Sequence, residues 1–166
     1  MKFIESKSDY IKTHTFNKWF TGSKVVDTNG EPLVLYHGGP KFRGDFIIPD
    51  DDDNGIYFTD NYYFALHFAA YAEINARDKN DFDYDGIPEN ILEGETEWEE
   101  KYFKYAEVKK VYLKMLNPKI VDAIDAKLIP SQYDSRYDGF IARTTGDFGY
   151  KGGQYVVFDN SQIWVL

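Results

Sequence analysis

Apolar and polar positions change rhythm several times along this chain, and each rhythm predicts an element. Between Ser8 and Phe20 the aromatic residues Phe16, Trp19 and Phe20 fall at i, i+3 and i+4, one face of an α-helix. Ser8 is its predicted N-cap and Thr21-Gly22 its end. The run Pro32-Leu33-Val34-Leu35-Tyr36 never alternates with polar residues, so it predicts a strand covered on both faces, and it leads straight into His37-Gly38-Gly39. Asn29-Gly30 separates that run from Lys24-Val25-Val26. The pair predicts a type I′ hairpin that holds the His37 strand antiparallel to residues 24–26. Gly55 to Thr59 reads as a short strand, after which Asp60 or Asn61 caps a helix to about Ala76 with Phe64, Phe68 and Tyr71 on one face. Further strands are predicted at Lys110–Met115, Asp138–Ala142, Gln154–Phe158 and Gln162–Leu166. Strands outnumber helices, no regular βαβ alternation appears and nothing repeats, so the fold class is α+β with mostly antiparallel sheets.

The segments between these elements add charge. Asn80 to Glu100 carries nine carboxylates and no Lys or Arg, and Asp50 to Asp53 adds four more, which accounts for much of the net charge of −9. So acidic a chain lacks the basic face of a general nucleic-acid binder, although a local patch is enough to hold a nucleic-acid substrate. The region from about 77 to 105 reads as an acidic insertion, with one helix near Glu97 to Glu107, within a single domain spanning 1–166. Asp50-x-Asp52-x-Asn54-Gly55 and Asp81-x-Asp83-x-Asp85-Gly86 look like half of a calcium loop. Both lack the glutamate at the twelfth position, so they read as solvated turns, with calcium the lesser alternative and stronger at the second, and no metal is expected. Pro40 to Asn54 is long enough to be a flap over a site. The absence of cysteine excludes thiol chemistry. With no signal-like or membrane-spanning apolar run, the expected location is the cytoplasm, without membrane attachment.

A histidine that ends a buried strand beside two bare glycines can offer a ring nitrogen and a peptide edge to one small molecule. Alone it reads better as a histidine satisfied by a neighbouring carbonyl. Its context decides: Tyr36-His37-Gly38, then Gly55-Ile56-Tyr57-Phe58-Thr59 before an aromatic helix, then Gln154-Tyr155-Val156-Val157-Phe158-Asp159 before Gln162-Ile163. In order and spacing these motifs resemble the ADP-ribosyltransferases of the His-Tyr-Glu class, which includes diphtheria toxin and the poly(ADP-ribose) polymerases. The similarity is greatest to such domains in phage and bacterial polyvalent proteins and toxins, whose Phe-x-x-Trp-Phe helix and Ser-Lys-Val-Val-Asp hairpin also appear here at Phe16–Phe20 and Ser23–Asp27. The resemblance covers roughly Phe16 to Ile163 and leaves the acidic insertion unmatched.

The resemblance implies an ADP-ribosyltransferase fold, with two mostly antiparallel sheets forming an NAD cleft and helices flanking them. It implies that NAD is the co-substrate, and that ADP-ribose passes to a protein or nucleic-acid acceptor while nicotinamide leaves. A toxin or effector role and an inhibitory antitoxin partner belong to the same expectation. His37 would bond the adenosine-side ribose, Gly38 would hold the nicotinamide carboxamide through its backbone, and Tyr57 would stack on the nicotinamide ring. Phe68, eleven residues on, stands where the family often has a second stacking tyrosine. Aromatic faces suit a cationic ring. Arg43, one of four arginines, is the candidate for the pyrophosphate. The departure is Gln154, which stands where the family has its catalytic glutamate; an amide can accept a hydrogen bond but carries no charge. The chain is then a weakened or selective transferase, a non-catalytic NAD- or partner-binding module, or a form whose glutamate has been replaced to disarm it, the reading preferred here. NAD glycohydrolase activity, with water as acceptor, is the near alternative. A two-carboxylate glycosidase is a distant one.

Overall fold

In the computed structural model the described residues are 7–48, 55–94, 96–123, 129–130, 134–144 and 149–166, with side chains described from residue 13 onward. The first helix, α1 (Lys7–Phe20), begins one residue before the predicted cap, Ser8, whose side chain lies outside the described set. Its aromatic face packs as predicted. Phe16 meets Tyr112 with ring centres 4.9 Å apart, Trp19 meets Trp164 at 5.5 Å, and the Trp19 indole N–H donates to the Ser161 carbonyl at 2.8 Å.

The hairpin that should follow is only a stub. Its single bridge is Val26 to Pro32, and the turn is held by Asp27 Oδ1, which accepts from the N–H groups of Asn29 (2.7 Å) and Glu31 (3.0 Å). Gly30 has a φ of 80°, but Asn29 is not left-handed, so the type I′ turn does not form. Pro32 has no N–H to extend a ladder. The His37 strand therefore takes other partners.

Seven strands are described: β1 (Leu35–Pro40), β2 (Ile56–Thr59), β3 (Ala106–Leu113), β4 (Lys119–Val121), β5 (Gly139–Ala142), β6 (Gln154–Val157) and β7 (Ile163–Val165). They form one sheet in the order β4-β5-β6-β2-β1-β3-β7, antiparallel except for the β4–β5 pair. The α+β class and its antiparallel bias hold. The two expected sheets are, among the described residues, a single hydrogen-bonded sheet with a thin seam. β1 pairs with β3 over six residues and β2 with β6 over four, whereas β1 and β2 share only Tyr36↔Thr59. One core, including Leu35, Phe58, Val111, Leu113 and Met115, fills one face. The other face takes helix α2 (Tyr62–Lys79).

Asn61 caps α2 as predicted, its Oδ1 accepting from the N–H groups of Tyr63 (2.9 Å) and Phe64 (3.2 Å). Of the predicted aromatic face only Phe64 is buried; Phe68 and Tyr71 stand out of the core. The buried face is instead Leu66, Ala69 and Ala70, continued by Glu73 and Arg77. This charged pair organises the acidic insertion. Glu73 accepts from the backbone N–H groups of Lys104, Tyr105 and Ala106 at 2.7–2.9 Å, and Arg77 Nε donates to it at 2.7 Å. Arg77 also donates to the carbonyls of Asp83 (2.5 Å) and Tyr102 (3.1 Å). The helix expected near Glu97 to Glu107 is consequently absent. One short helix, α3 (Glu89–Leu92), and a 3₁₀ turn at Glu100–Tyr102 precede β3, because the Glu73 carboxylate draws residues 104–106 out straight.

The loop after β1 is no free flap over its described part. Phe46 is buried and packs edge-on against His37, with centres 5.1 Å apart. The calcium-like motif at Asp50–Asn54 lies outside the described residues; in the second, the Asp83 carboxylate pairs with Lys104 Nζ at 2.9 Å. Gln162, at the end of the third sequence motif, is a structural tie. Its Nε2 donates to the carbonyls of Lys114 (3.1 Å) and Asp138 (2.6 Å), and its Oε1 accepts from the N–H groups of Phe158 and Asp159. No described helix is long and apolar enough to cross a membrane.

Candidate functional site

A cavity of about 610 Å³ opens where β1 and β2 part, between the sheet and the first turns of α2. That volume suits a small organic ligand. Alternation along the strands fixes what reaches it. Residues 36 and 38 of β1, 57 and 59 of β2, and 154 of β6 share the face towards α2, while Phe58 and Tyr155 point into the core behind. Gly38, Tyr57 and Gln154 line the cavity on that face with Phe68 from α2, and His37, which alternation turns to the core side against Phe46 and Phe58, borders it at the seam; all five were named from the sequence as site residues. Its lining also includes Tyr36, Thr59, Phe64, Ala65 and Ile129, of which Thr59 was signalled only by its two-residue spacing from Tyr57. Arg43 is exposed on the following loop and is not part of the lining.

The His37 ring spans the seam. Its Nδ1 lies 2.8 Å from the Tyr57 carbonyl oxygen, and a carbonyl can only accept, so Nδ1 carries the hydrogen. The ring thus occupies the carbonyl that a continuing ladder would have offered to β1. Neighbouring residues of an antiparallel strand turn their peptide groups to opposite sides. Tyr57 faces β1, so Thr59 and its partner Tyr36 form the last rung, and the Gly38 N–H and C=O are aimed into the opened seam. Burial lowers the His37 pKa below its ordinary value of 6.5; the bond to Tyr57 opposes that shift and nearby Lys109 adds to it. At neutral pH the ring is uncharged, and its Nε2 is an acceptor suited to a hydroxyl. The unfolded chain takes up this proton first, so the stability His37 contributes is complete above pH 6.5 and drains away as the pH falls from there towards the folded value.

Tyr57 is 37% and Phe68 43% exposed, too much for core packing, and both expose ring surface on the same cavity. The polar groups Thr59 and Gln154 lie buried on its floor, paired across β2 and β6. Phe64 links the lining to Tyr150, in the loop before β6, with ring centres 5.3 Å apart. Sequence reasoning passed over Tyr150 because it sits alone in a Gly-rich stretch. Among the described residues no group of three or more His, Asp or Glu side chains is placed to hold a metal ion.

Gly38 has a second duty that the sequence does not reveal. A Cβ there would run into the Ala65 carbonyl and approach the Ala69 nitrogen to 2.9 Å, so its bare backbone is what lets α2 lie directly on β1. Gly39 meets only the His37 ring, at 3.2 Å. We expect Gly38→Ala to cost about 3 kcal/mol in urea denaturation, since backbone must move, and Gly39→Ala less than about 1 kcal/mol. Equal costs would show that the approach of α2 is not the constraint.

Residues 27–164 match a protein family described as ADP-ribosyltransferase in polyvalent proteins. A comparison with curated proteins found no match.

Proposed function

We infer what this chain does from one premise: it belongs to the ADP-ribosyltransferase family of polyvalent proteins. We propose that the seam cavity is an NAD site and that the chain is a mono-ADP-ribosyltransferase, a toxin or effector acting on a protein or nucleic acid, weakened by Gln154. In that reaction the bond between ribose C1′ and the nicotinamide nitrogen breaks. Its electron pair goes to the ring, which departs neutral. The acceptor's nucleophilic atom bonds to C1′ and gives up a proton.

The observation that supports this reading most is the convergence of all three sequence motifs on one cavity. Tyr57 and Phe68 offer two exposed rings for the nicotinamide, the Gly38 peptide edge is directed to its carboxamide, and His37 Nε2 accepts from the adenosine-side ribose. Gln154, on the floor, meets the nicotinamide-side ribose. Arg43, the residue proposed for the pyrophosphate, stands outside the lining. The second reading, a module that binds NAD without turning it over, draws on one feature, the missing charge at Gln154.

Calorimetry tests the site. His37→Ala and Tyr57→Ala are each expected to weaken NAD binding by about tenfold, the worth of one good hydrogen bond or one stacked face, in protein that stays folded. Unchanged affinity in folded variants would remove the assignment.

A further inference from the structure

Residue 154 is presented by a loop rich in glycine, yet its position in the cleft is well defined, and the reason lies behind it. Asp60, the exposed residue after β2, stands beside that loop and outside the lining of the cavity. Its Oδ1 accepts from the Gly153 N–H at 2.8 Å and its Oδ2 from the Tyr155 hydroxyl at 3.4 Å, so one carboxylate grips both neighbours of Gln154. Next to it Asn61 Nδ2 donates to the Lys151 carbonyl at 2.5 Å. Gly152 lies against the same carboxylate with a φ of 121°, and a Cβ there would collide with Asp60 Oδ1. Gln154 itself is paired to Thr59, the residue before Asp60. Burial and Asp60 raise the Tyr155 pKa, so the phenol keeps its proton and donates it.

We propose that Asp60 is a positioning residue: its carboxylate clamps Gly153 and Tyr155 and thereby sets where the side chain at 154 stands in the cavity. It does not touch the ligand, because Tyr155, which it holds, points into the core. The sequence offered Asp60 only as an alternative helix cap. Asn61 takes that task and leaves Asp60 free for this one. Misplacing a reacting group by about 1 Å costs up to roughly a hundredfold in rate, so a clamp here bears on turnover more than on binding. That consequence rests on the transferase reading; the clamp itself does not.

Two measurements on the full chain separate them. Amide hydrogen exchange at Gly153 is expected to quicken by roughly tenfold or more in Asp60→Ala and to return near the parent rate in Asp60→Asn, which keeps an acceptor oxygen, while Val156 in mid-strand stays protected. In proteins that also carry Gln154→Glu, Asp60→Ala is expected to lower kcat for nicotinamide release by about tenfold with KM for NAD within twofold, and Asp60→Asn to restore most of it. Unchanged Gly153 exchange in Asp60→Ala overturns the clamp. Faster exchange with unchanged kcat, or a loss shared equally by KM and thermal stability, overturns the positioning role. If Gln154→Glu with Asp60 intact releases no nicotinamide, the transferase reading fails by itself, and exchange at Gly153 and at the Gln154 amide still decides whether Asp60 sets that residue's place.

Discussion

Replacing Gln154 with glutamate is expected to raise nicotinamide release by about a hundredfold while leaving NAD affinity within a few-fold. As the glycosidic bond breaks, positive charge develops on the ribose ring, and only interactions stronger in that state than in the bound substrate speed the step. The amide at 154 can orient a hydroxyl but cannot answer the charge. A carboxylate in the same buried place can, and one electrostatic group so placed is typically worth roughly 3 kcal/mol, about a hundredfold in rate. The cavity floor needs no rebuilding, since glutamate and glutamine have the same shape and residue 154 is held in the β2–β6 ladder. Chromatography of released nicotinamide, with water or a cell extract as acceptor, reads the effect. The restored form is also expected to be harder to express, because it consumes NAD or modifies host targets. A folded Gln154→Glu protein that binds NAD and is no faster leaves the binding-module reading in possession of the site.

The largest effect on stability is expected at Glu73. Burial alone would raise its pKa, but the backbone N–H groups of Lys104 and Tyr105, the Arg77 guanidinium and the Ala106 N–H outweigh burial and hold the carboxyl below its usual 4.5. Glu73→Ala strands Arg77, which is buried with its charge and only carbonyl partners, and frees the three amides that lead into β3. Breaking a buried pair from one side costs about 3–5 kcal/mol, and urea denaturation should show a loss of that size. Replacing both partners, Glu73→Leu with Arg77→Met, should recover part of it. A lowered folded pKa also sets the acid limb: the Glu73 contribution is complete above pH 4.5 and is lost as the pH falls from there through the folded value. A loss below about 1 kcal/mol in Glu73→Ala would show that the insertion is not held by this pair.

Both the strengths and the failures of the sequence reading have physical reasons. Short apolar strands and a capped aromatic helix are local patterns, and β2, β5, β6 and α2 appear close to where those patterns predict them. By contrast, β1 begins only at Leu35 and runs on through Gly38 to Pro40, so Pro32 to Val34 of the predicted strand lie outside it. Tyr57 and Phe68 converge because one lies in a short strand and the other stands two turns into the helix that follows it. The hairpin failed because Asn-Gly specifies a turn, whereas strand pairing is decided by what else competes: β3 offers β1 a six-residue ladder, and Pro32 blocks the local one. The predicted helix near Glu97 failed because a residue some thirty positions earlier, Glu73, claims the backbone there. The Glu73–Arg77 spacing was visible as an i, i+4 pair, but nothing local marks such a pair as buried. Gly38 looked like a glycine for a ligand, and its second role against Ala65 exists only once α2 is laid across β1. Asp60 was legible as a polar residue at a helix start and illegible as a clamp, since its partners lie more than ninety positions away.

The most direct test of the NAD cleft is a titration followed residue by residue. In ¹⁵N-labelled protein, NAD is expected to shift the backbone amides of Gly38, Tyr57 and Phe68 and the side-chain amide of Gln154 together, along one saturable curve. Nicotinamide alone should move Gly38, Tyr57 and Phe68 in the same directions while leaving the amide of His37 less affected. Shifts confined to other surfaces, or none at millimolar NAD, would contradict the assignment of this cavity.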